Sequence, residues 1–311
     1  MGKATREAYG DALKEAGSLY QDIIVLDADL SKSTKTNVFQ KAYPERHFNA
    51  GIAEQNLMGV AAGLAAAGKI PFASTFAMFA TGRAYEQVRN SICYPKLNVK
   101  IAATHAGLTV GEDGATHQAN EDIALMRAIP NMTVIVPADA AETRQAVLWA
   151  AQYQGPVYLR LGRAGVDDIF DEDYTFEHGK AVQIAEGSDL TIIATGIMVG
   201  PAVKAAQELK QLGLSARVLN IHTIKPIDKA AIVKAAQDTG AIVTCEEHNI
   251  IGGLGSAVAE VLVENHPALM ERVGVMDTFG ESGTPNALVA KYHLTAADIV
   301  KAAQKVVARK K

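Results

Sequence analysis

The chain has 311 residues, of which 49% are hydrophobic and 21% charged, a usage that excludes a disordered, collagenous or mucin-like polypeptide. Its 30 basic and 34 acidic side chains leave a formal net charge of −4, which gives no long-range attraction for a phosphate backbone. No apolar run reaches the roughly 18 residues that suggest a membrane span. The two cysteines, Cys93 and Cys245, lie far apart, and the first ten residues carry charge without a signal-type apolar core. A soluble cytoplasmic protein of two domains is expected, with neither nucleic acid nor membrane as partner.

The first predicted helix covers Thr5–Ser18, where Ala8, Ala12 and Ala16 recur on one face beside Leu13 and Thr5 is placed to cap it. Ile23–Leu26 is a short, β-branched apolar run, read as a buried strand that ends in Asp27-Ala28-Asp29-Leu30-Ser31. Acidic and hydroxyl side chains past a strand's C-terminal end are where a parallel α/β sheet meets ligands, though an aspartate-capped turn accounts for them equally well. Residues 54–67 predict a helix of small residues with Glu54 in its first turn, where the helix dipole by itself favours a carboxylate. The strand Lys69–Thr75 runs into Phe76 and Phe79, three apart, a spacing more usual in cores than in ligand platforms. A helix carrying Arg83, Tyr85, Glu86 and Arg89 is expected next.

Val99–Ala103 predicts another strand, followed by a polar loop over Thr104–Gln118. It holds Gly107, Gly111 and Gly114, the adjacent carboxylates Glu112 and Asp113, and His105 and His117 twelve apart. A loop of this polarity suits a ligand site. No HxH or HExxH spacing supports a metal, so proton transfer or hydrogen bonding to oxygen is the expected chemistry of the two histidines. Val134–Val136 and Pro156–Leu161 predict strands on either side of a helix over Ala140–Gln152. Arg163 follows Gly162 and offers a fork for phosphate or carboxylate; a surface cation explains it as well, and Arg160 is a rival three residues upstream. Asp167–Glu177 is acidic without hydrophobic periodicity and reads as a crossing between domains. Beyond it, strands over Leu190–Ala194, Ala216–Asn220, Ala241–Cys245 and Arg272–Val275 alternate with helices, a second, smaller α/β domain with a largely parallel sheet. Gly252-Gly253-Leu254-Gly255 lacks the GxGxxG spacing; it either presents N–H groups to an anion or, more commonly, packs at a domain junction.

Together these stretches resemble, nearly end to end, the C-terminal half of a thiamine-diphosphate-dependent transketolase. The resemblance is carried by Lys3-Ala4-Thr5-Arg6, Ala28-Asp29-Leu30, Gly51-Ile52-Ala53-Glu54-Gln55, Ser74-Thr75-Phe76 and the His105–His117 loop. In the second segment it is carried by Glu246-Glu247-His248, Gly252-Gly253-Leu254-Gly255 and Asp277-Thr278-Phe279-Gly280-Glu281-Ser282-Gly283. It implies an α/β fold: a pyrimidine-binding domain with a parallel sheet over 1–170 and a smaller transketolase C-terminal domain over 178–311. It further implies that Glu54 hydrogen-bonds the cofactor's aminopyrimidine, that Phe76 and Phe79 wall that ring, and that Asp29 lies near the cofactor at the subunit interface. His105, His117 and Asp113 match the acid–base and ketose-binding residues, Arg6, Ser33 and Arg163 the sugar-phosphate grip, and Glu112 a supporting neighbour. Where full-length relatives carry a third aromatic, this chain has Gly82, and Arg83-Ala84-Tyr85-Glu86-Gln87 instead resembles deoxyxylulose-phosphate synthases and dehydrogenase β-subunits.

The resemblance also implies a partner. The family fixes magnesium (or calcium) and the cofactor's diphosphate through a Gly-Asp-Gly motif that this chain lacks, so no metal ligands are assigned here. A second polypeptide bearing that motif, an α2β2 assembly, and activity only in its presence are expected. The expected reaction moves a two-carbon ketol unit from a ketose phosphate to an aldose phosphate. The alternatives are a subunit of a deoxyxylulose-phosphate-synthase-like or unusual-sugar transketolase, sulfonated or branched sugars included, and a non-catalytic stabilising subunit.

Overall fold

Residues 2–310 are described by a computed structural model with twelve strands in two sheets. In chain order they are β1 (Ile23–Asp27), β2 (His47–Asn49), β3 (Ile70–Phe76), β4 (Lys100–Thr104), β5 (Thr133–Ile135), β6 (Val157–Arg160), β7 (Val182–Ala185), β8 (Leu190–Ala194), β9 (Ala216–Asn220), β10 (Thr223–Lys225), β11 (Ala241–Asn249) and β12 (Leu269–Val275). The first sheet has the order β10-β5-β6-β4-β3-β1-β2 and the second β12-β11-β8-β9-β7. Both are parallel except at one edge each, where β10 opposes β5 and β7 opposes β9.

Alternation along the strands of the first sheet builds two cores. Ile23, Val25, Phe72, Ala102, Val157 and Leu159 pack on one face with the helices Thr5–Leu19 and Ala140–Gln152. Leu26, Ala73, Ile101 and Tyr158 point the other way and join the helix Glu54–Ala66, in a cluster that continues through Ile193, Leu219 and Ile242 of the second sheet. Burying every face in this way explains why these strands read as continuous apolar runs.

Besides the unexpected edge strand β7, three features depart from the sequence-based expectation. Thr223–Lys225 was not expected to be a strand, yet β10 leaves the second segment and completes the first sheet, with Val136 N donating to His222 O at 2.7 Å. The segment after Phe76 is not one regular helix. It contains π-helical turns over Phe79–Arg83 and Val88–Cys93, with a short α-helical turn over Tyr85–Gln87 between them. Finally, Glu246-Glu247-His248 belongs to β11, which extends to Asn249 with all three side chains buried. No helix among the described residues is long and apolar enough to cross a membrane.

Candidate functional site

The C-terminal ends of β1, β3, β4 and β6 share one edge of the parallel sheet, and the connections leaving them carry most of the candidate residues. His105 follows β4 directly with a left-handed backbone (φ 59°), which turns its ring back over the sheet end. The ring stacks on Phe76, the last residue of β3, with centroids 3.9 Å apart. Nδ1 lies 2.9 Å from Thr104 Oγ1, and Nε2 lies 3.5 Å from Arg6 Nη1. Burial first, then the charges of Arg6 and Arg163, push its pKa down to about 3, so this imidazole is neutral. Phe79 stacks on Phe76 at 5.8 Å and meets His117 edge-on at 5.4 Å. His117 is half-buried, with Nδ1 2.8 Å from Thr116 Oγ1. Two aromatic rings and two imidazoles thus form one continuous wall.

Glu54 is the first residue of its helix and is 2% exposed. Arg83 Nη1 donates to its Oε2 at 2.8 Å, and the Arg83 guanidinium lies 4.5 Å from the centroid of the Phe79 ring. Gly82 is exposed at the position of the third aromatic, so the wall ends in a cation instead.

A cationic mouth sits beside the histidines. Arg6 Nη1 donates to Ser33 O at 3.0 Å, while its buried Nε has no hydrogen-bond partner among the described residues. Burial lowers the pKa of Arg6, and the Arg163 charge adds to that effect. Arg163 Nη1 donates to Val110 O and to Glu112 Oε2 (3.2 Å) and lies 3.9 Å from Asp113 Oδ2. Ser33 contributes its carbonyl to Arg6, and its hydroxyl makes no hydrogen bond among the described residues. Asp29 stands apart, exposed at the end of β1 with φ 64°, where it exchanges hydrogen bonds of 2.9 Å with Asn49. Its neighbour Asp27 is the buried one: it accepts from Leu30 N, Thr34 and Thr36, and burial raises its pKa despite those bonds.

Arg160 does not face this mouth. Its Nε donates to Asp122 Oδ2 at 2.7 Å and its Nη2 to Ala119 O and Glu247 O, and its side chain is 6% exposed. Glu247 accepts from Thr109 N at 2.6 Å and packs so closely on Gly107 (φ 77°) that a Cβ there would come 2.3 Å from its carboxyl carbon. Burial pushes the Glu247 pKa up to about 7, against the pull of Arg160. Gln118 Nε2 donates to Glu281 O at 2.9 Å, and Gly114 lies against Ser282. The second domain therefore braces the histidine loop from behind. The Gly-rich run is not open to an anion, because Leu254 N and Gly255 N donate to Glu246 at 2.7 and 2.8 Å; tight junction packing is its use. Sequence reasoning assigned no role to Arg83, Asp122 or Glu247 individually. Arg83 lies 29 residues from Glu54, Asp122 lies 38 residues from Arg160, and Glu247 works across the domain boundary, so no local pattern marks them. Among the described residues no group of three or more His, Cys, Asp or Glu is placed to hold a metal ion.

One edge of the parallel sheet thus brings together a buried glutamate, an aromatic wall and a cationic mouth. Residues 1–167 match the transketolase pyrimidine-binding domain, and residues 179–299 match the transketolase C-terminal domain. A Methanocaldococcus jannaschii protein described as a transketolase C-terminal section is 53% identical over 303 residues, covering 96% of this chain and 95% of that protein. A 6-deoxy-6-sulfo-D-fructose transketolase subunit of Clostridium sp. is 47% identical, covering 98% and 95%. A solved structure described as a split gene transketolase, inactive β4 tetramer, superposes with a TM-score of 0.94 at 62% identity and full coverage of both chains. The chain belongs to the transketolase family, as a C-terminal subunit made of the pyrimidine-binding and C-terminal domains.

Proposed function

We propose that this chain is the pyrimidine-side subunit of a split transketolase. With an N-terminal-type subunit bearing Gly-Asp-Gly, it transfers a two-carbon ketol unit from a ketose phosphate to an aldose phosphate. The observation that supports this best is the convergence of Glu54, Phe76, Phe79, His105, His117, Arg6 and Arg163 on one sheet edge. The donor set fits the thiamine ring system. The Glu54 carboxylate is enclosed beside Phe79, and no hydrogen bond reaches its Oε1 among the described residues. Magnesium or calcium and the diphosphate fall to the partner, in an α2β2 assembly in the cytoplasm.

Thiamine diphosphate, when bound, supplies the electron sink that lets a carbon–carbon bond beside a carbonyl break. The chain's own residues do the rest. Glu54 holds a proton at the aminopyrimidine nitrogen, and a carboxylate in an enclosed site suits that task. Phe76 and Phe79 flank the ring and exclude water, and Asp29 lies toward the subunit interface. His105, kept neutral, hydrogen-bonds substrate oxygen; His117 moves the proton at the reacting hydroxyl, with Asp113 on the ketose hydroxyls. Arg6, with an unpartnered buried N–H, Arg163 and Ser33 bind the terminal anion. Arg160 is already committed to Asp122, which supports Arg163 as the phosphate ligand.

A second reading concerns the donor. The Clostridium relative's name specifies a sulfonated ketose, and the cationic mouth suits a sulfonate as well as a phosphate. The test is reconstitution with a Gly-Asp-Gly subunit, followed by a screen of phosphorylated and sulfonated ketose donors. Turnover with neither, in a complex that binds thiamine diphosphate, would leave the stabilising-subunit alternative standing.

A further inference from the structure

Of the groups around Glu54, the proposed function leaves Arg83 without a role. Its Nη1 bond to Oε2, at 2.8 Å, is the only hydrogen bond to that carboxylate among the described residues. The same guanidinium covers the Phe79 ring, 4.5 Å from its centroid. Phe79 and Arg83 are the two ends of one π-helical turn, four residues apart and so neighbours on one face of it.

No other charge among the described residues does this work. β3 holds no titratable side chain. Asp27, at the end of β1, is engaged by Leu30 N, Thr34 and Thr36. Glu86 accepts from Gln87 and Asn90, and Arg89 donates to Asn90. His117 approaches the Phe79 edge and is held by Thr116. Burying a carboxylate without a cation is costly, and Arg83 is the cation that offsets the cost.

We infer that Arg83 is a positioning residue for Glu54: by holding Oε2 while its guanidinium lies over the Phe79 ring, it leaves Oε1 as the oxygen presented to the cofactor ring. The guanidinium is suited to both contacts at once, because it is planar, permanently charged and able to stack while donating in its plane. It stands one residue past Gly82, so this chain replaces a third wall aromatic with a group that acts on the carboxylate. The inference rests on the proposed role of Glu54.

The test uses the complex reconstituted with its partner subunit, in wild-type form and with Arg83→Met, Arg83→Lys and Glu54→Gln. Two quantities are read besides turnover: the dissociation constant of thiamine diphosphate by calorimetry, and deuterium exchange at the thiazolium ring carbon by NMR. The melting temperature of each separate chain is a control. Arg83→Met is expected to slow exchange by about tenfold, the lower end for a charge-assisted hydrogen bond because the guanidinium is half-exposed. It should weaken cofactor binding severalfold while the separate chain melts near wild type. Arg83→Lys should recover part of the exchange rate, since it restores charge but not the stack. Wild-type exchange and affinity in Arg83→Met would overturn the inference, as would losses that track melting temperature and are not recovered by lysine. If Glu54→Gln exchanges at the wild-type rate, the reading of Glu54 itself fails. If only Glu54→Gln is slow, the role of Arg83 alone is lost.

Discussion

Replacing Arg160 and Arg163 one at a time by alanine separates a structural arginine from a substrate-binding one. Arg160→Ala removes a 6% exposed guanidinium and leaves Asp122, which is wholly buried, without its cation at 2.7 Å. It also strips donors from Ala119 O and Glu247 O. Breaking a buried ion pair from one side costs about 3–5 kcal/mol. At roughly 2–4 °C per kcal/mol for larger domains, the melting temperature should fall on the order of 10 °C. Arg163→Ala removes a side chain that is 34% exposed and whose contacts are a carbonyl and two surface carboxylates, so melting should stay near wild type. Its loss should appear with phosphorylated donors. A charged hydrogen bond of about 1.5–3 kcal/mol is worth about ten- to a hundredfold in kcat/KM. The assay pairs thermal melting of each chain with kcat/KM of the reconstituted enzyme on a ketose phosphate and its unphosphorylated analogue. Equal losses on both donors in Arg163→Ala would remove it from the phosphate site. An Arg160→Ala variant that melts like wild type but loses the phosphorylated donor selectively would reverse the assignment.

Glu54→Gln should lower kcat of the complex by on the order of 10²–10⁴ while assembly persists, the usual range for a lost acid–base group; wild-type kcat with a lowered melting temperature would reduce Glu54 to a helix-start carboxylate. Gly107→Ala should destabilise the histidine loop, because the residue has φ 77° and its Cβ would strike the Glu247 carboxylate. Proteolysis of that loop and loss of turnover should come together, and an unaffected variant would show that the loop can seat elsewhere. His222 is wholly buried, and burial with the neighbouring His178 lowers its pKa to about 4. The unfolded chain therefore takes up a proton there first, and its stabilising contribution, full above about pH 6.5, is lost as pH falls toward 4. His222→Phe, beside Phe176 at 4.4 Å, should flatten the fall of melting temperature across that window, whereas an unchanged slope would place the titration on other groups.

The strands most visible in the sequence are those with neighbours on both faces. Ile23–Leu26 and Leu190–Ala194 are apolar runs because every residue in them but the partly buried Ile24 is shut away from water. β10 was invisible for the opposite reason: Thr223–Lys225 is three residues long, and its pairing partner lies in the other domain. Glu246-Glu247-His248 looks like the polar end of a loop, yet it continues a strand, since Glu246 is bound by backbone N–H groups of the following helix and Glu247 by Thr109 N. Tertiary hydrogen bonds overrode local polarity there. At the site, the clustering of His105 and His117 in one polar loop could be read directly, but their approach to Phe76 and Phe79 could not. Arg160 and Arg163 are indistinguishable in sequence because both lie near the end of the same strand. What separates them is Asp122, 38 residues away.

The crossing of β10 into the first sheet has a bearing on how this polypeptide can be divided. The acidic stretch after residue 167 invites a cut between the two domains. A first domain freed there would leave β5 with a bare row of hydrogen-bonding groups at its outer edge, the kind of surface on which chains stack into aggregates. Lys225 Nζ, which donates to Arg127 O and Ile129 O, would be lost from the same edge. Grafting between relatives should therefore move both domains together, as a single inheritable block, or carry residues 222–225 along with the first.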